Sequence, residues 1–224
     1  MPPRCAPSWS TGCARSTGSR GTGPVCLVHS GGPGIHPEYL RIPALEKHLT
    51  MVYLDPVGAG DSDLLPDGDY SMSRYARFAA AVLDGLGAPT AWFLGHSHGG
   101  FVALQFGLDH PERLDGLVLY DTAPVYGPEL MEAATKEMAV FVRRWPDRPE
   151  AAEAGRVWEA RMSGTLDVVD NTSKERYLGT LLPAYFADYR VTRTLRRPDR
   201  SGILRRPPIG GLTWRSAGRA TGHR

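Results

Sequence analysis

Residues 95–99 read Gly-His-Ser-His-Gly and place a serine two positions away from a glycine on each side. Four apolar residues, at 91–94, come directly before this pattern. A serine at the tip of a sharp strand-to-helix turn needs strained backbone dihedrals, and close neighbours two positions away must lack side chains. Such a turn exposes the serine hydroxyl for attack once a base removes its proton. The pattern therefore predicts a nucleophile at Ser97.

The elements around this turn alternate between apolar runs and helical patterns. Short apolar runs predict buried strands at 25–28, 51–54, 91–94 and 117–120. Helical patterns occur at 36–49, broken or kinked near Pro43, then from a cap at Ser71 or Ser73 to Gly85 or Gly87, and at about 99–108. This alternation predicts an α/β fold with a parallel sheet and helices on both faces.

Composition divides the chain into four segments. Residues 1–23 contain no Val, Ile, Leu or Phe, which predicts a disordered or aberrant N-terminal segment. Residues 24–124 carry the predicted core, and residues 125–190 carry three helical patterns at 128–145, 150–162 and 173–189, which predict a helical cap. Residues 191–224 hold nine arginines and one acidic residue, which predicts an unstructured or aberrant tail.

Several function classes are disfavoured by composition. The three cysteines, Cys5, Cys13 and Cys26, are odd in number and lack metal-ligand spacing, so we expect a reducing, cytoplasmic location. No apolar run is long enough for a membrane span, and the Arg-rich tail lacks interleaved aromatics and a recognisable nucleic-acid module. His96 and His98 alternate like a metal pair, but no third ligand is evident, so we expect no metal.

Four landmarks in order resemble the N-terminal half of an α/β-hydrolase, in the proline iminopeptidase-like branch. They are His-Ser-Gly-Gly-Pro-Gly at 29–34, the loop at 55–62, the Gly-His-Ser-His-Gly turn, and Asp-Thr-Ala-Pro at 121–124. The first loop is closer in length to that of carbon-carbon bond hydrolases. The resemblance implies a cofactor-free serine hydrolase that acts on a small ester, amide or N-terminal peptide bond. Its partner would be a small molecule or short peptide.

The resemblance also implies an oxyanion hole beside the nucleophile. The main-chain amide of His98 would supply one donor, and the amide of Gly31 would supply the other, with Gly32 or Ser30 as alternatives.

A triad acid and a histidine follow the cap in this family, where the present chain has its Arg-rich tail. The remaining candidate base is His223, in Thr-Gly-His-Arg. Asp121 follows the fourth predicted strand and is the candidate acid, with a helix or loop cap as its alternative role.

Two alternatives stay open. One is a catalytically inactive fragment or binding protein with the same half-fold. The other is that the basic ends arise from shifted reading frames near residues 23 and 190.

The family order of the four strands is second, first, third, fourth, which would leave both edges of the sheet bare. Bare apolar edges predict a poorly soluble or marginally stable chain.

Overall fold

The computed structural model describes residues 15–59, 62, 65–168 and 171–186. Five strands are formed: β1 (Arg15–Arg20), β2 (Val25–His29), β3 (Thr50–Asp55), β4 (Ala91–His96) and β5 (Leu114–Tyr120). Five α-helices accompany them: α1 (Met72–Leu86), α2 (His98–Asp109), α3 (Pro128–Arg144), α4 (Pro149–Met162) and α5 (Asn171–Leu181). No helix in these ranges is long and apolar enough to span a bilayer.

The sheet has the strand order β1-β3-β2-β4-β5. Strands β3, β2, β4 and β5 run parallel, so the predicted α/β class and the predicted order of these four strands are confirmed. Because β2 and β4 lie in the interior of the sheet, their carboxyl ends meet in the middle of one sheet edge. That edge carries the loop at 29–34 and the serine turn.

The N-terminal segment departs from the prediction of disorder. Its last part, β1, pairs antiparallel with β3, from Arg15 opposite Asp55 to Arg20 opposite Met51. An edge strand is held by main-chain hydrogen bonds, so it needs no apolar side chains, and the sequence RSTGSR gave no signal. The expectation that both edges are bare is therefore wrong at the β3 edge. Residues 1–14 lie outside the described residues.

On the side of the sheet away from β1, the outermost strand is β5. Within the described residues, no further strand pairs with it. Its last three side chains, Val118, Leu119 and Tyr120, are 43%, 44% and 52% exposed. On this side the sheet presents apolar surface to solvent.

The main core lies between one face of the sheet and helices α1 and α2. Leu27, Val52 and Phe93 contribute the sheet side and are fully buried, and Leu83 and Phe106 contribute the helical side. The rings of Phe93 and Phe106 meet edge to face with 5.3 Å between centroids, a favourable aromatic geometry. This packing fixes α2 against β4, and so fixes the turn that joins them.

A smaller core covers the other face of the sheet. Cys26, Met51 and Leu94 point to this side, because side chains alternate along a strand, and Leu40 packs on them. The segment 36–49 was expected to form one broken helix, but it forms two 3-10 turns, Pro37–Leu40 and Leu45–Lys47. Pro43 between them prevents a continuous helix.

The remaining helices agree with the sequence patterns. Ser71 caps α1 by accepting a hydrogen bond from the Arg74 amide, and Gly87 ends it in the left-handed conformation. The three helices of the segment expected to form a cap, α3 to α5, share a core of their own that contains Met138, Phe141, Ala151, Ala154 and Leu181. Helix α5 ends at Leu181, earlier than predicted, since a short 3-10 turn containing Pro183 follows.

Candidate active site at the carboxyl edge of the sheet

Ser97 lies at the turn between β4 and α2 with φ 51° and ψ −114°. Residues other than glycine rarely adopt such a conformation, which costs about 1–3 kcal/mol and persists only where the surroundings impose it. A Cβ atom on Gly95 would lie 2.3 Å from the carbonyl oxygen of Gly99. A Cβ atom on Gly99 would lie 2.2 Å from the carbonyl oxygen of His29. Both glycines are therefore required by close backbone approach, as the sequence pattern predicted.

The end of β5 braces the same turn from the other side. The Ser97 amide donates a hydrogen bond to the Tyr120 carbonyl at 3.0 Å, and the Thr122 hydroxyl donates to the Ser97 carbonyl at 2.8 Å. A Cβ atom on Gly100 would collide with the Thr122 side chain. Thr122 belongs to the 121–124 landmark, but its role as a brace was not evident from the sequence.

His98 is the first residue of α2, so its main-chain N–H is one of the helix donors without an intrahelical partner. The helix dipole makes this end favourable for negative charge. The His98 side chain is 4% exposed, and its Nδ1 atom has no hydrogen-bond partner in the part of the chain that the structure describes. Burial lowers the pKa of His98 to about 3, and the neighbouring His29 ring and the Lys174 ammonium add to this effect. The ring therefore stays neutral, and the main chain is the group that can contact an anion.

Gly31 lies directly beside the turn. A Cβ atom on Gly31 would lie 2.8 Å from His96 Nδ1 and 3.2 Å from Ser97 Cβ. The Gly31 amide donates a hydrogen bond to the Tyr39 hydroxyl at 2.8 Å. The same hydroxyl lies 2.5 Å from His96 Nδ1. Tyr39 was not identified from the sequence, because nothing distinguishes it from other aromatic residues until the chain is folded.

The protonation states of Tyr39 and His96 bear on the direction of the hydrogen bond between them. Burial raises the pKa of Tyr39 to about 12, so its hydroxyl keeps its proton at neutral pH. Burial also lowers the pKa of His96, and the negative charge of Asp121 opposes this effect. When the neutral imidazole carries its proton on Nε2, its Nδ1 atom accepts, and Tyr39 then accepts from Gly31 and donates to His96.

Asp121 follows β5 and has φ 44°, a second strained position next to the turn. Its side chain is exposed, and its charge acts on His96. His223, the candidate base, lies outside the described residues. The structure thus brings Ser97, His98, Gly31 and Asp121 to one edge of the sheet.

His29, at the end of β2, makes contacts of a structural kind. His29 Nδ1 lies 3.0 Å from the Ser30 carbonyl oxygen, and the His29 ring packs edge to face on Tyr75. Burial lowers the pKa of His29 to about 4. In the described part of the chain, no group of three or more His, Cys, Asp or Glu residues could hold a metal ion.

Helix α5 reaches this edge through Lys174. The Lys174 ammonium donates a hydrogen bond to the Pro33 carbonyl, in the loop that follows β2. Burial lowers the pKa of Lys174 to about 8, and its charge acts on His98. Sequence reasoning missed this residue, because a single lysine in a polar helix gives no signal of its own.

Comparison with known proteins agrees with this geometry. The family model for the alpha/beta hydrolase fold matches residues 23–195. The chain belongs to the alpha/beta hydrolase fold family. Its named relatives are hydrolases and an esterase.

Named relatives of this α/β-hydrolase act on several substrates. It is 29% identical over 171 residues to 2-hydroxymuconate semialdehyde hydrolase of Pseudomonas sp. strain CF600, covering 74% of this chain and 57% of that protein. It is 34% identical over 107 residues to a pimeloyl-[acyl-carrier protein] methyl ester esterase of Aeromonas hydrophila, covering 47% and 41% respectively. The chain thus spans little more than half the length of the first of these relatives.

A solved structure shows the same fold. The chain superposes with a TM-score of 0.50 and 25% identity on a Pseudomonas aeruginosa protein provisionally assigned as an epoxide hydrolase. The match covers 84% of this chain and 68% of that protein.

Proposed function

We propose that this α/β-hydrolase is a serine hydrolase in which Ser97 attacks a small ester or amide and forms an acyl-enzyme. The observation that carries the proposal is the strained backbone of Ser97 at φ 51°, held by glycine contacts on one side and by β5 on the other. Strain of this kind at a strand-to-helix turn serves to expose a nucleophile.

In the first step a base takes the proton of the Ser97 hydroxyl, the Ser97 oxygen forms a bond to the substrate carbonyl carbon, and the carbonyl oxygen becomes an oxyanion; the same base later returns that proton to the leaving group. The His98 amide at the start of α2 stabilises this charge. The bond to the alcohol or amine then breaks, and the leaving group takes up a proton. Water attacks the acyl-enzyme in the same way and releases the acid and free Ser97.

Gly31 is the second oxyanion donor in this proposal. Its amide already donates to the Tyr39 hydroxyl, so this donor becomes available to the substrate when the hydroxyl gives way. The Tyr39 hydroxyl therefore competes with the substrate oxyanion for one of the two donors.

The base and acid of the triad are also proposals. The buried rings of His29 and His98 are poor bases, since burial keeps their pKa values near 4 and 3. His223 stays the candidate base and Asp121 the candidate acid.

Two observations favour different substrate classes. The loop at 29–34 resembles proline iminopeptidases and supports an N-terminal peptide bond. The relatives named above support a semialdehyde or a methyl ester instead. A panel of proline 4-nitroanilide, 2-hydroxymuconate semialdehyde and a small methyl ester separates these substrates.

Labelling with a fluorophosphonate probe tests the nucleophile. The full chain should be labelled, Ser97→Ala should lose the label, and Ser73→Ala, an exposed serine of α1, should keep it. A folded chain whose labelling does not depend on Ser97 would refute the proposal and favour the alternative of a catalytically inactive fragment or binding protein.

A further inference from the structure

We propose that Lys174 forms an anion subsite that binds a carboxylate of the substrate, so that the preferred substrate is a monoanionic ester or amide of a small dicarboxylic acid. The preference in catalysis rests on the proposed function of Ser97. The binding of a carboxylate is argued from the contacts of Lys174 alone.

The position of Lys174 is the first support. Helix α5 belongs to the cap, yet Lys174 reaches the Pro33 carbonyl in the loop that also carries Gly31. Gly31 lies against Ser97, and the Lys174 charge acts on His98, the residue after Ser97. Lys174 thus places a positive charge where the cap meets the edge of the sheet that carries Ser97.

The lack of a countercharge is the second support. Carboxylates pair with five other cations of the described residues, namely Arg41, Arg74, Arg113, Lys136 and Arg156. Within the same described ranges, no carboxylate lies at ion-pair distance from Lys174. Among the described residues, its hydrogen-bond acceptor is the neutral carbonyl of Pro33, which leaves two of the three ammonium donors for a ligand.

A partly buried ammonium without a countercharge is unfavourable, and its lowered pKa of about 8 reflects that cost. Buried charges in proteins are normally paired, so an incoming anion is the natural partner. One ammonium matches the single charge of a carboxylate. A phosphate dianion would leave an uncompensated negative charge in the same low-dielectric place.

Binding is tested first in the Ser97→Ala chain, where no turnover interferes. Monomethyl glutarate is titrated by calorimetry, with dimethyl glutarate as the uncharged comparison. We expect the monoanion to bind at least 10-fold more tightly than the diester. Lys174→Met should weaken monoanion binding by about 10- to 100-fold, and Lys174→Arg should recover most of it.

The matched control is Lys136→Met, because Lys136 is an exposed lysine of α3 that pairs with Glu132. It should bind the monoanion like the Ser97→Ala parent. Equal binding of monoanion and diester, or unchanged binding in Lys174→Met, would overturn the subsite. If Lys174→Met does not fold, the comparison of the two ligands and the Lys174→Arg variant still decide.

Turnover separates this proposal from that for Ser97. With 4-nitrophenyl hemiglutarate and 4-nitrophenyl butyrate, Lys174→Met should lose kcat/KM for the anionic ester, mainly through KM, and keep it for the neutral ester. Ser97-dependent labelling without any preference for the anionic ester refutes the subsite alone. Lys174-dependent binding without Ser97-dependent labelling refutes the hydrolase alone.

Discussion

Lowering the pH from 7 to 5 is expected to weaken the fold through two buried imidazoles, His29 and His98. Both rings lie under the serine turn, pack on Tyr75, and are almost fully buried. Their pKa values fall from 6.5 to about 4 and about 3, chiefly because burial disfavours the charged ring. The unfolded chain therefore takes up protons near pH 6.5, whereas the folded chain does not.

The sign of the effect follows from this difference. The unfolded state binds more protons over the whole window from pH 6.5 down to about 4, so the free energy of unfolding falls as the pH falls. At pH 5 each ring costs about 2 kcal/mol, and the two together cost up to about 4 kcal/mol. This is a large fraction of the stability of a typical domain, about 5–15 kcal/mol.

Urea unfolding at pH 7, 6 and 5, followed by circular dichroism, measures this loss. His98→Phe keeps an aromatic ring against Tyr75 and removes one titrating group, so its loss at pH 5 should drop to about 2 kcal/mol. His48→Gln, at an exposed histidine, should behave like the parent. A parent chain whose stability changes by less than about 1 kcal/mol would refute the assignment of neutral, buried rings.

Two further predictions concern the turn itself. Gly95→Ala brings a Cβ atom within 2.3 Å of the Gly99 carbonyl oxygen, so it should destabilise the fold by about 1–3 kcal/mol and abolish probe labelling of Ser97. The control Gly85→Ala, in α1, has no atom within 4 Å of the added Cβ and should leave labelling unchanged. Tyr39→Phe removes the hydroxyl that occupies the Gly31 amide, so the rate of labelling should rise. A slower rate would mean that the hydroxyl assists the reaction, and a rate equal to the parent would mean that Gly31 takes no part.

The elements that were predicted correctly are those with local signals. The capping serine and terminal glycine of α1, the apolar runs of β2 to β5 and the Gly-His-Ser-His-Gly turn all report on a few neighbouring residues. The strained conformation of Ser97 was predictable for the same reason, since each of the two glycines that permit it lies two positions from Ser97 in the sequence.

The features that were missed depend on distant partners. Strand β1 is held by the main chain of β3, so its side chains carry no sign of it. The contact of Tyr39 with Gly31 and the contact of Lys174 with Pro33 exist only after folding brings separate loops and helices together. Polar groups that act through single contacts leave no periodic pattern, and a single sequence cannot reveal them.

The two edges of the sheet differ in how they can meet another chain. The β1 edge has a register irregularity between Ser16 and Gly18 and ends in the exposed Arg20, features that discourage strand addition. The β5 edge, as far as the described residues extend, is regular at its end and apolar. Of the two outer strands in the described part of the chain, β5 is therefore the one suited to strand addition. Two β5 strands can pair only once, so this contact would end at a pair of molecules. Removing residues 15–20 would expose the regular, apolar β3 in place of β1. Each molecule would then offer two outer strands for pairing, and a contact that ends at a pair would become one that can continue from molecule to molecule.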